Sequence, residues 1–391
     1  MKAFQYFNPT KLYFGPAEAR SVLEEIKGRA TSLMIILGGD FLYKSIIYEN
    51  LLNELNAEKI RYVVFDKVTP NPRLSDVEEA IKVGRAEAID YVLAIGGGSA
   101  IDTAKTLAAG IKSPLPIWKY FENFSDSITD ALPVGVILTL PATGSEVSHV
   151  AVITEDSTGR KRSLFSPYII PRFALIDPSF AHSLPQKQLA SGIVDMFSHI
   201  MEMFFSDNEP NILTDNLLLS AARTVISIAE RPFDELREYS LARELFLTAN
   251  LANNGILSLG RGAGDWGCHN IEHELSSLYH IPHGTGLAIV IPAWMKHIST
   301  RDQEKFARFF EESIDSLQLA ANTDKEKIEV GIDSLEKLFD GMGLPTKLSQ
   351  IGASHNEFNL LIERAFDERE SLGMCYSMSK EDVRKILELA F

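Results

Sequence analysis

Cysteine is almost missing from this chain. Two stand among 391 residues, Cys268 and Cys375, so neither a disulfide framework nor a thiolate metal cage can be built, and a reducing compartment is expected. Positive charge is also short. Against 53 Asp and Glu stand 38 Lys and Arg, and a formal charge of -15 argues against nucleic acid or an anionic membrane surface as the main partner. The longest apolar runs, such as LAIVIPAWM from Leu287, fall well below the ~20 residues of a membrane helix. The opening MKAFQYFNPTKLYFG lacks an apolar core and a small-residue cleavage site, so the expectation is a cytoplasmic protein. Repeats, low-complexity tracts and a linker rich in Pro, Gly and Ser are missing too. Two closely packed domains with a cleft between them are therefore expected.

What is present changes character midway. Up to about residue 180 short buried-strand runs, LMIILG (33–38), YVVFD (62–66), YVLAIG (91–96), VGVILTL (134–140) and FALID (173–177), alternate with amphipathic stretches. That alternation predicts an α/β domain with a parallel sheet. From Pro185 onward nearly everything has helical period, which predicts an all-α second domain. The expected division is 1–182 and 183–391, with Ser183 and Gln186 spaced as a capping box at the start of the first long helix.

Three loops in the first half follow predicted strands. In YVLAIGGGSAIDTAK a strand runs into Gly97, Gly98 and Ser99 and then a helix, where free N–H groups attract phosphate. Neither G-x-G-x-x-G nor the P-loop spacing is satisfied, so another anion-binding α/β variant is required. LGGDFLYK repeats the arrangement with Asp40 at its mouth. That carboxylate can accept from ribose hydroxyls and repel a 2'-phosphate, favouring NAD over NADP, or it can simply cap the next helix. TLPATGSE, from Thr139, is the third loop.

The second half concentrates imidazole. DWGCHNIEHELSSLYHIPHG, residues 265–284, holds four of the nine histidines. Asp195 and His199 are four apart on a predicted helix, as are His269 and His273, and His283 follows in a Pro-His-Gly turn. One carboxylate and three imidazoles suit a divalent transition metal, Fe(II) or Zn(II). A lone i, i+4 pair is more often a satisfied core pair; two pairs and the turn in one helical domain point to a site. H-E-x-x-H is absent, which disfavours proteolysis.

Asp195, His199, His269 and His283, with GGGSAIDTAK, TLPATGSE and FNPTKLYFG, resemble the iron-containing alcohol dehydrogenases, in the branch of butanol dehydrogenases and broad-range aldehyde reductases. The resemblance covers nearly the whole chain. It implies a Rossmann-like dinucleotide-binding domain, a helical domain, and metal and nicotinamide meeting in the cleft. It also implies that those four residues hold the metal and that Gly97, Gly98 and Ser99 hold the pyrophosphate. Asp102, Thr139 and Thr143 would lie along the cofactor, Asn71 near its adenosine half, and Lys161 at a phosphate or ribose unless it belongs to a solvated basic loop. His273 would stand beside the nicotinamide and pass a proton. The expected reaction interconverts small primary alcohols and aldehydes with NAD(H), or NADP(H), in a homodimer; a glycerol-dehydrogenase or dehydroquinate-synthase-like enzyme of the same fold is the alternative.

Overall fold

The computed structural model describes residues 1–16, 18–122, 127–206, 209–314, 322–367 and 369–391, and the backbone but not the side chains of Asp40 and Phe41. The chain forms two compact units, Phe7–His182 and Ser183–Phe391 together with Met1–Tyr6. The first six residues were expected in the amino-terminal domain. They belong instead to the helical unit, where the Lys2 N–H donates to the Gly260 carbonyl at 2.9 Å.

In the first unit the strands are β1 (Lys11–Phe14), β2 (Ser32–Leu37), β3 (Arg61–Phe65), β4 (Tyr91–Gly96), β5 (Val134–Leu138), β6 (Val150–Thr154), β7 (Lys161–Phe165) and β8 (Phe173–Ile176). Its helices are α1 (Ala19–Ile26), α2 (Ile46–Ala57), α3 (Leu74–Ala86), α4 (Gly98–Lys112) and the short α5 (Lys119–Glu122). Six strands form a parallel sheet in the order β1-β8-β5-β4-β2-β3. Every residue of β2, β4 and β5 is buried, which is why these strands read as continuous apolar runs rather than alternating ones. From β2 the chain moves outward to β3, then returns to the other side of β2 for β4, β5 and β8. The carboxyl ends of β2 and β4 thus flank a topological switch point, the place where open α/β sheets bind ligands. There the backbones nearly touch: a Cβ on Gly38 would stand 3.0 Å from the Gly96 Cα. β6 and β7 form a separate antiparallel hairpin, so Lys161 opens a strand rather than lying in a loop.

The helical unit contains α6 (Gln186–Phe204), α7 (Ile212–Ala229), α8 (Phe233–Leu236), α9 (Tyr239–Asn253), α10 (Gly267–Tyr279), α11 (His283–Ile298), α12 (Gln303–Ser313), α13 (Asp324–Gly341), α14 (Phe358–Phe366) and α15 (Lys380–Ala390). α11 packs against α6, α10, α13 and α15, and it is apolar all round because it is covered all round. The expected capping box does not form. α6 starts after Pro185 with no side-chain cap, because Leu184, preceding a proline, is pushed out of helical geometry and the helix can begin only beyond it. One described helix, α7, is long and apolar enough by length and composition to cross a membrane. Half of it is buried in this unit, and its Asp215 pairs with the buried Arg261, as in a core helix.

Candidate functional site

Three helices deliver the carboxylate and imidazoles to one place. α6 carries Asp195 and His199 one turn apart, α10 carries His269 and His273 one turn apart, and His283 is the first residue of α11. The turn between α10 and α11 is set by His280, left-handed at φ 53°, and by Pro282, whose fixed φ of -59° starts the next helix. Asp195 Oδ1 lies 3.5 Å from His199 Nδ1 and 3.7 Å from His283 Nε2. Donor atoms of Asp195, His199 and His269 all fall within 4.8 Å of one another. The His269 ring centroid is 4.7 Å from that of His199 and 5.1 Å from that of His283.

Burial decides what these groups can do. His199 Nδ1 and His269 Nε2 are buried with no hydrogen-bond partner among the described residues, an arrangement that ordinarily costs stability. Burial and the neighbouring His269 hold the His199 pKa well below the ordinary imidazole value, so His199 is a neutral lone-pair donor. At His269 burial works against the charge, but the Glu202 carboxylate outweighs it and raises the pKa. Glu202 accepts at His269 Nδ1, and Glu272 accepts at His283 Nδ1. Each carboxylate fixes a tautomer that leaves Nε2 to face the cluster, the usual support of a metal-bound histidine. The donor set and its supports fit a divalent metal.

Glu202 and Glu272 were not anticipated. The signal was there in outline: Glu202 is three residues after His199 and seven after Asp195, and Glu272 is three after His269, each on the ligand face. His273 lies outside the Asp195–His199–His269 group but beside it, its ring 6.3 Å from His269 and 5.4 Å from His283. It is partly exposed, whereas His269 is buried.

In the α/β unit the loops after β2, β4 and β5 converge. Gly97 is the N-cap of α4, and the first intrahelical bonds begin with Ala100 and Ile101 donating to the Gly97 carbonyl. The Gly98 and Ser99 N–H groups therefore head the helix, and no acidic side chain occupies its first turn. The floor admits no larger residue: a Cβ on Gly98 would meet Thr143 at 2.8 Å. Thr139 is buried, its N–H on the Gly96 carbonyl at 3.1 Å, and Thr143 Oγ1 accepts from the Ser145 N–H at 3.1 Å. Asp102 does not line this cradle as a free acceptor. It takes the Ser145 hydroxyl at 2.6 Å and the Val152 N–H at 3.0 Å; burial pushes its pKa up against the pull of Lys105. Lys161 Nζ donates to Asn71 Oδ1 at 3.1 Å, bringing together two residues that the sequence keeps far apart. Asp40 falls in a short 3-10 turn, and its side chain lies outside what is described.

Hydride transfer to or from an alcohol carbon needs a dinucleotide and something to polarise oxygen, and provision for both in one chain defines a metal-assisted, dinucleotide-dependent dehydrogenase. The chain belongs to the iron-containing alcohol dehydrogenases: residues 9–178 match the family described as iron-containing alcohol dehydrogenase and residues 189–391 its C-terminal part. It is 35% identical over 388 residues to a probable NADH-dependent butanol dehydrogenase of Bacillus subtilis, with 99% of each chain covered. It is 29% identical to an NADPH-dependent aldehyde reductase of Escherichia coli, with all of both chains covered. A crystal structure of an NADH-dependent butanol dehydrogenase from Thermotoga maritima superposes with a TM-score of 0.93 at 34% identity, covering 100% of this chain and 99% of that one. The protein is accordingly an NAD(P)-dependent oxidoreductase of the alcohol dehydrogenase type.

Proposed function

We propose that Asp195, His199, His269 and His283 hold one divalent metal, Fe(II) or Zn(II), in an enzyme that reduces short aldehydes to primary alcohols, and the reverse, with NADH preferred to NADPH. The observation that carries the metal assignment is the pair of buried, unpartnered imidazole nitrogens of His199 and His269 beside the Asp195 carboxylate. When bound, the metal supplies Lewis-acid polarisation of the substrate oxygen, and the nicotinamide supplies or accepts hydride. Asp195 is the only anion among the four donors, so a divalent ion held there would keep net positive charge toward a substrate oxygen. Glu202 and Glu272 hold the Nδ1 protons of His269 and His283 and keep both rings oriented. His273, partly exposed one turn beyond His269, passes the proton between substrate oxygen and solvent.

The first unit takes the cofactor: Gly97, Gly98 and Ser99 meet the pyrophosphate, Thr139 and Thr143 flank the chain of the dinucleotide, and Lys161 with Asn71 meets its ribose or phosphate. Asp102 serves from behind, through Ser145. The NADH preference is supported by Asp40 at the mouth of the first loop and by the description of the Bacillus and Thermotoga relatives as NADH-dependent. Cytoplasmic location and a homodimer complete the reading. The test is metal analysis of anaerobically purified protein together with butanal reduction using NADH and NADPH. A metal-free preparation at full activity, or equal kcat/KM for the two cofactors, would overturn the corresponding part.

A further inference from the structure

Trp266 has no part in the roles assigned above, yet two of the clustered imidazoles pack against it. It is the N-cap of α10 with φ 61°, a left-handed conformation that is a true outlier for so bulky a residue. Strain of this kind persists only where the surroundings impose it. Asp265, fully buried, imposes it on both sides: its carboxylate accepts from the Gly267 N–H at 3.2 Å and from the Cys375 and Tyr376 N–H groups at 2.8 Å each. Its own N–H donates to the Glu202 carbonyl at 3.0 Å, which ties the strained turn to the residue that orients His269. The indole packs against Gly264, φ 103°, where a Cβ would stand 2.3 Å from the ring, and its Nε1–H donates to the Ala263 carbonyl at 2.5 Å.

Fixed in this way, the indole meets His269 at 5.1 Å and His199 at 5.8 Å, steeply inclined to both. It is partly exposed, as His199 is, while His269 is buried, so the ring reaches the surface beside these imidazoles. His273 stands on the other side of His269, one turn along the helix. The donor cluster is thus bordered by an apolar surface on one side and a titratable imidazole on the other. Because its only polar atom is already bonded to Ala263, the ring offers a ligand no hydrogen bond.

We infer that Trp266 is a specificity-determining residue, the apolar wall that receives the alkyl chain of an unbranched substrate and gives nothing to one bearing a second hydroxyl. The inference rests on the metal reading for where the substrate oxygen sits. Its test is the chain-length series of aldehydes from acetaldehyde to hexanal, with glycolaldehyde as the polar counterpart of propanal, reduced by NADH in the wild type, Trp266→Ala and Trp266→Phe. Metal content is measured on each. Withdrawing a methylene from water favours binding about fourfold, so wild-type kcat/KM rises by up to about that factor per added methylene along the part of the chain the ring covers. In Trp266→Ala that rise flattens and the penalty on glycolaldehyde shrinks, with metal unchanged; Trp266→Phe restores part of both, and it carries the test alone if the alanine variant fails to fold. An unchanged slope in the folded variants, or loss of metal in Trp266→Phe, overturns the inference and makes Trp266 a prop for the imidazoles. A wild type without metal would sink the metal reading instead, and the slopes would still show whether the ring is a wall.

Discussion

Replacing Lys105 with methionine should destabilise the α/β unit by about 1 to 3 kcal/mol, the cost of leaving buried acceptors without their charged donor. The ammonium is completely buried. It donates to Ser145 Oγ at 2.8 Å, to Ser148 Oγ at 3.2 Å, and to the Ser148 and Val150 carbonyls at 2.9 Å each. Methionine keeps most of the stem but donates nothing, so the Ser148 and Val150 carbonyls lose the ammonium, Val150 keeping only the Ser148 hydroxyl at 3.5 Å, and the Asp102 carboxylate loses its nearby cation. The acceptors share one site, so their losses do not simply add. A double-mutant cycle with Asp102→Asn in urea denaturation reads the coupling, and the double variant should recover part of the loss. The sign of the pH dependence provides a second reading. Burial lowers the Lys105 pKa to about 8 from 10.5, so between these values the unfolded chain binds more protons and stability rises with pH. The Lys105→Met variant should lack that rise. A loss below about 1 kcal/mol, or strict additivity in the cycle, would refute the claim that Lys105 and Asp102 tie α4 to the β6–β7 hairpin.

Three further outcomes are expected. Gly98→Ala should raise the NADH KM with a smaller change in kcat, because the added methyl meets Thr143 at 2.8 Å on the cradle floor; an unchanged KM would remove the pyrophosphate from this loop. Glu202→Gln should weaken metal binding by about 10- to 100-fold in chelator competition, since the His269 tautomer loses its anchor. His273→Ala should slow aldehyde reduction by about 100-fold or more with metal content kept, whereas metal loss would make His273 a ligand.

The sequence exposed some of this architecture and hid the rest for physical reasons. Strands β2, β4, β5 and β8 were legible because both faces of a parallel sheet are covered, and β3 by its β-branched run. β1 was hidden: it lies at the sheet edge with Lys11, Leu12 and Phe14 exposed, so no core pattern marks it. The β6–β7 hairpin was hidden too, being short and half-buried. Missing it left a partner of Asp102 unseen. The resemblance set that carboxylate along the cofactor, and the hairpin adds the Val152 N–H that it accepts. The i, i+4 spacing made Asp195 with His199 and His269 with His273 visible as helical pairs. Glu202 and Glu272 were not, since a helical glutamate is usually solvated and only burial shows these two turned inward.

Metal occupancy in single variants of the four donors tests the central claim most directly. The wild type, purified anaerobically, should carry about one divalent ion per chain, and Asp195→Ala, His199→Ala, His269→Ala and His283→Ala should each lose it together with NADH-dependent butanal reduction. Full occupancy retained in any of the folded variants would contradict the four-donor centre.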